Sequence, residues 1–270
     1  MPNGMVVRLA VAAVLTASLT GSSGYLLTIS KIVMLSLALL HAVLAGSLLS
    51  IYLVYAFSLP VPVTLFSVLF TVALSLLAAE LVERGLPIDS AVAVIAAIST
   101  TLIATFGYLD SILSPIAVSE AWSYVAGLSV FIRDRDLAIL TGVTSFVVPL
   151  VVAFRREFTY IAFDEEGARA MGMRVRVYRY LLYSLSAAIS AAVAICLGVF
   201  VAHVALAVPG SLALRLGRKR LYLTSLAASA LVMFVGYTIS YPLKLPPSSG
   251  VGIVATLALL ATLLKGGRRG

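Results

Sequence analysis

Between Tyr178 and Leu214 the chain runs through 37 residues with no acidic side chain, and with Arg179 and His203 as the only basic or imidazole ones. As a single α-helix that run would be about 55 Å long at 1.5 Å per residue. A bilayer core is only about 30 Å thick, and tilt does not absorb the difference. The run must break and fold back, and Gly198 and Pro209 are the residues able to break it. Similar Leu-, Ala- and Val-rich runs recur, for example Leu137 to Phe154 and Leu221 to Tyr237. Only helices and closed barrels satisfy their own backbone in lipid. Barrel strands would alternate apolar and polar residues, and these runs do not alternate. Charged residues make up 11% of the chain, against about a quarter in a soluble domain, so there is too little polar side chain to cover a water-facing surface.

The expectation is therefore an all-α, polytopic integral membrane protein with about 8–10 transmembrane helices. Spans are read near 6–27, 32–57, 62–82, 90–109, 117–131, 137–154, 178–198, 200–215, 221–240 and 250–265. The run at 117–131 is short, and is either oblique or re-entrant. A signal peptide would have to occupy the first run, but no small-x-small cleavage site follows it and further spans come at once, so a retained span is expected. Residues 1–270 form one transmembrane domain, with its longest polar loop at 155–179.

The net charge of +8 does not read as nucleic-acid binding, because the basic residues sit in short clusters between spans. If the chain turns back near Gly198, the cluster Arg215, Arg218, Lys219 and Arg220 falls on the side of the 155–179 loop, and Lys265, Arg268 and Arg269 join it. Three basic clusters on one face mark that face as cytoplasmic. Counting backwards puts Arg133 and Arg135 outside, while the parity of the earlier spans depends on whether 117–131 crosses. Cys196 is the single cysteine, which excludes disulfides and thiolate metal clusters within one chain.

Two kinds of residue stand out. His41 and His203 lie inside apolar spans, where an ionisable side chain is costly and faces either a pathway or a hydrogen-bond partner on a neighbouring helix. The island Asp164-Glu165-Glu166-Gly167-Ala168-Arg169-Ala170-Met171-Gly172 is the largest polar island in the chain. Its acids suit a helix start and Gly172 a helix stop. It reads either as a short helix parallel to the membrane that docks a soluble partner, or as a solvated loop with ordinary capping. Asp89 and Asp110 read as interfacial caps. Gly46, Gly127, Gly198, Gly236 and Gly250 read as close-packing or turning points.

The island, with Asp164, Glu165, Ala168 and Gly172 in the order D-E-x-x-A-x-x-x-G, resembles the cytoplasmic coupling segment of the metal-type ABC importer permeases for zinc, manganese and iron. Ser36 to Gly46, Gly198 to Ala213 (including Pro209) and Ser240 to Val254 resemble three further segments of that family, in order. The resemblance covers about residues 10 to 265. It implies a type II ABC importer fold in the plasma membrane and a homodimer around a central pathway. A separate ATP-binding subunit would dock on Asp164, Glu165, Glu166, Ala168 and Gly172, and an extracellular metal-binding protein would deliver the ion. His41, joined by His203, would meet a zinc or manganese ion on the way through. ATP would be bound by the partner, since this chain has no G-x-x-x-x-G-K-[ST] loop. Two positions depart from the family pattern: Leu37 stands where an acid commonly precedes the histidine, and Lys244 where an acid is common. Both favour a different cargo, such as a metal chelate. An intramembrane enzyme is disfavoured by the absence of H-E-x-x-H, G-x-S-x-G or paired aspartates in the spans. A free channel or scaffold is disfavoured by the island itself.

Overall fold

The computed structural model describes residues 2–126, 134–216, 220–240, 242–243, 245 and 247–266. Gly127, Arg133, Arg218, Lys219, Lys244, Arg268 and Arg269 lie outside the described residues. Those described form twelve helices and no strand: α1 (Pro2–Ile29), α2 (Val33–Phe57), α3 (Val63–Glu83), α4 (Ile88–Leu113), α5 (Pro115–Ala126), α6 (Asp134–Ala153), α7 (Arg155–Phe163), α8 (Glu165–Ala170), α9 (Val175–Leu197), α10 (Val199–Leu216), α11 (Leu221–Ser240) and α12 (Pro247–Gly266).

Six of these, α1, α2, α3, α4, α9 and α11, are each long and apolar enough to cross a bilayer. Helix α6 meets α7 at a bend of 57°, and α10 and α12 contain shorter apolar helices. With α6, α10 and α12 counted, nine of the ten sequence-derived spans coincide with a helix. The exception is 117–131: its last five residues lie outside the described ones, and its first ten belong to α5, described from Pro115 to Ala126.

The 37-residue run breaks at Gly198. Its φ of 82° and ψ of 153° lie in a region that only glycine occupies without strain. Pro209 stands inside α10 and does not end it, as bundled membrane helices tolerate.

Contacts between helix ends settle the parity of the N-terminal spans. Arg179 at the start of α9 pairs with Glu83 at the end of α3, and Tyr25 near the end of α1 shares a 2.5 Å hydrogen bond with Thr159 on α7. The ends of α1 and α3 therefore lie on the face of α7, α8 and the start of α9. Tyr55, near the other end of α2, donates to Glu120 on α5 over 3.3 Å, placing α5 at the opposite face. Lys31 and Arg84 thus join the basic face, which strengthens the positive-inside assignment.

Small residues let the helices approach. Of the most apolar stretches of α1 and α9, 72% is buried, against 17% of that of α4, so α1 and α9 form the centre. In lipid there is little hydrophobic drive between helices, and close packing with interhelical hydrogen bonds takes its place. A Cβ on Gly24 would stand 2.6 Å from the Gly210 nitrogen, so α1 and α10 touch backbone to backbone. Ser47 and Ser67 join α2 to α3 at 2.7 Å, Ser75 donates to the Tyr183 carbonyl at 2.7 Å, and Ser225 donates to the Gly21 carbonyl at 2.7 Å. At Gly46 an added Cβ would lie 3.0 Å from Phe70. At Gly250 it would run into Ser240 Oγ and the Gly236 carbonyl. Both glycines therefore sit at close helix approaches.

Candidate functional site

Helices α2 and α10 bring the two histidines together. Their ring centroids are 5.7 Å apart, edge to face at 84°, and both side chains are half-buried. Each Nδ1 meets the carbonyl one helical turn back: His41 with Leu37 at 2.8 Å, His203 with Val199 at 2.7 Å. A carbonyl only accepts, so both Nδ1 atoms carry the proton and donate it. In the neutral ring this fixes the tautomer and puts the lone pair on Nε2. The backbone carbonyl thereby fixes the orientation of each ring, as such acceptors do where imidazoles bind metals. Two imidazoles are half a tetrahedral site, and no group of three or more His, Cys, Asp or Glu capable of holding a metal occurs among the described residues. The position four before His41 is Leu37, which contributes its carbonyl and no side-chain ligand.

The polar island is a folded element. Asp164 is the N-cap of α8, its Oδ1 accepting from the Gly167 N–H at 2.8 Å. After Ala170 the Met173 N–H reaches the Ala168 carbonyl and the Gly172 N–H the Arg169 carbonyl, both at 3.0 Å. This is a Schellman stop, with Gly172 at φ 82°. Six residues cannot hold a helix alone, and three contacts anchor this one. Ala168 is fully buried. Glu165 accepts from Arg169 at 2.6 Å and from Arg179 at 2.7 Å. Arg179, with 13% of its side chain exposed, also pairs with Glu83 at 14%. One guanidinium thus ties α3, α8 and α9 together. Partial burial would push the Glu165 carboxyl up, but the bonds from Arg169 and Arg179 outweigh it and hold the group below the usual carboxylate range. Glu166, Met171 and Phe163 are exposed, Phe163 by 84%. The island is therefore a pinned helix with an exposed mixed face, rather than an unanchored loop.

The α3 acids Glu80 and Glu83, which complete this anchor, escaped the reading of the sequence: 96 residues separate Glu83 from Arg179. The only available hint was an acidic end on a span flanked by a basic one. Asp89 falls in the first turn of α4, where its charge suits the helix dipole, but the N-cap is Pro87 and no side chain caps the helix. Asp110 does not cap. It is 1% exposed, and neither oxygen finds a hydrogen-bond partner among the described residues. Helix α4 continues past it to Leu113, which keeps it inside the bundle.

Comparison with known proteins fits this geometry. The sequence model of the ABC 3 transport family matches residues 3–266. A probable metal transport system membrane protein of Thermotoga maritima is 29% identical over 54% of this chain and 52% of its own length, so the chain spans about half of that relative. The manganese import system permease protein ScaB of Streptococcus gordonii is 25% identical over 93% of this chain and 86% of its own. Among solved structures, PsaBC from Streptococcus pneumoniae in complex with Fab superposes with a TM-score of 0.78. That match has 21% identity and covers 96% of this chain and 90% of that one, a likeness of fold alone.

Proposed function

The chain belongs to the ABC 3 transport family, and from that premise we propose that it is the membrane-spanning subunit of an ATP-driven importer of divalent metal ions. Manganese or zinc is the cargo this reading favours. The observation that carries it is the pairing of a pinned, Asp164-capped helix on the basic face with two adjacent intramembrane imidazoles, each engaged with its own helix backbone through Nδ1 only. The relatives named above are described as metal or manganese transport proteins, which supports the choice of cargo. Helix α8 is the docking knob for a separate ATP-binding subunit, with Glu166 and Met171 on its exposed side, and Glu165, Ala168 and Gly172 holding its shape. ATP binds that subunit, and its cycle biases the permease between two access states.

Two imidazoles per chain make a weak site, so the pathway is completed by a second copy of this chain. Four imidazoles then face a shared axis, which suits a borderline ion and gives a first-row divalent metal enough nitrogen ligands to shed its water. An extracellular metal-binding protein supplies the ion at the opposite mouth. Leu37 supports a second reading with the same architecture: without an acid beside His41, a metal chelate would need fewer ligands from the wall.

The test is uptake into sealed vesicles bearing the chain with an ATP-binding subunit and a metal-binding protein. Manganese, zinc and a chelated metal are run in parallel with and without ATP. The proposal expects ATP-dependent uptake of a bare ion that His41→Ala abolishes. Uptake that prefers the chelate and ignores His41 would select the second reading, and uptake indifferent to ATP would refute both.

A further inference from the structure

On the basic face, the end of α1 and the starts of α7 and α11 leave between them a cavity of about 930 Å3. Lys31, Arg155, Arg156 and Arg220 line it, and no acidic residue does. Elsewhere on this face four arginines are neutralised: Arg84, Arg169, Arg176 and Arg179 all pair with Glu80, Glu83 or Glu165. None of the four cavity cations has a carboxylate partner among the described residues. Arg155 lies instead over the Tyr222 ring at 5.9 Å. Glu157, beside Arg156 in sequence, is not part of the lining.

The backbone adds to this field. Arg155 and Arg156 open α7, whose N-cap Phe154 makes no side-chain capping bond, and Leu221 and Tyr222 open α11. The N–H groups of a first turn have no partner within the helix, and carry the positive end of its dipole. Two such ends meet at one cavity, an arrangement suited to an anion with several acceptor oxygens. The C-terminal ends of α1 and α10 also reach the wall, with Lys31 just beyond the first of them. Beside the cations lies an apolar shelf: Phe163 is 84% exposed, Leu223 54% and Leu214 44%. Cations next to exposed apolar side chains, at the level where spans end, match an amphiphile rather than a soluble anion.

We propose that this cavity binds the phosphate headgroup of an anionic phospholipid from the leaflet on the basic face. Phe163, Leu214 and Leu223 take the start of its acyl chains. A headgroup seated there relieves the mutual repulsion of four cations and bridges α1, α7 and α11. It thereby fastens the segment that leads into α8, and makes the position of α8 depend on lipid composition.

The test is lipid retention by the full chain in detergent, followed by native mass spectrometry with phosphatidylglycerol and phosphatidylcholine, and by melting with inorganic phosphate. Phosphatidylglycerol should be retained in preference. Arg156→Gln with Arg220→Gln should weaken it by about 30-fold, at about fivefold per surface cation removed. Lys31→Gln with Arg155→Gln should act similarly. Each variant is first checked to melt like the parent without lipid, so either pair can carry the test if the other misfolds. Arg174→Gln removes an exposed cation of the same face outside the cavity, and should change nothing. Equal retention of the two lipids, or retention untouched by both pairs, would overturn the proposal. Phosphate alone protecting the chain as well as phosphatidylglycerol would make the free anion the ligand and remove the lipid. Variants that lose an ATP-binding subunit yet keep the lipid would reassign the surface to a protein contact.

Discussion

Replacing Arg179 with glutamine should unfasten α8 from the bundle, and the size of the effect follows from burial. The guanidinium and the Glu83 carboxylate are 13% and 14% exposed, so removing the cation leaves an almost buried carboxylate uncompensated. Breaking a buried pair from one side costs about 3–5 kcal/mol. Glu165, at 39% exposure, keeps Arg169 and regains water, so the lower end applies, about 3 kcal/mol. In a chain of this size that corresponds to a fall of about 6–12 °C in the melting midpoint. Arg176→Gln is the internal comparison. Arg176 bonds Glu80 nearby, but its side chain is 65% exposed, where ion pairs are screened and contribute little. The two variants remove the same charge from the same helix one turn apart, so a difference between them reports the burial of Arg179 and its second link, to α8. Melting of the purified variants in detergent reads the first effect, and hydrogen exchange over 164–172 reads the second, with faster exchange expected only in Arg179→Gln. Equal melting shifts, or exchange in α8 unchanged by Arg179→Gln, would refute the three-helix clamp.

Three further outcomes are expected. His41→Ala and His203→Ala should each reduce metal uptake at least tenfold, and the double variant should be no worse than the stronger single one, because groups acting as one unit are non-additive; additive losses in vesicle uptake would separate the two rings. The stability that Glu165 contributes through its lowered carboxyl should be complete above the ordinary glutamate value of 4.5 and lost as pH falls through the lowered one. The melting gap between parent and Glu165→Gln should therefore stay level from about pH 8 to pH 5 and close only at lower pH, and a gap closing near pH 6 would point to another group. Gly210→Ala should destabilise by about 1–3 kcal/mol, since its Cβ would run into the Gly24 carbonyl and Thr28 Oγ1. Gly142→Ala, with nothing within 4 Å of its added carbon, should melt like the parent.

The spans were legible because bilayer thickness is a one-dimensional ruler that a sequence can be laid against. Residues 117–131 were legible only as a short run, oblique or re-entrant: hydropathy measures composition, whereas the contact of Glu120 with Tyr55 is what places α5 at one face. The island read correctly as a helix with a cap and a glycine stop, because both signals are local. Its anchoring was not legible, since Glu83 and Arg179 meet only through the packing of α3 on α9. The histidines were each visible as costly intramembrane groups, yet nothing in a chain that sets them 162 positions apart says that the rings touch. The basic cavity is the same kind of case. Lys31, Arg155 and Arg220 belong to three separate inter-span clusters, and only the convergence of three helix ends makes them one site.

The glycine joint at 198 has a mechanical corollary. Helix α10 begins there, carries His203 about 7.5 Å along its axis and ends at Leu216 about 27 Å along it, at the helical rise. If α10 swings as a rod about that joint, displacement is divided between the two points in the ratio of their lever arms, about 3.6 to one. A shift of about 4 Å at the basic face would then reach the imidazole as about 1 Å. That is enough to open or close a bond to a metal, which tolerates only tenths of an ångström. On that swing the fold would act as a reduction gear, a coarse stroke at the membrane surface becoming a fine adjustment at the ring nitrogen.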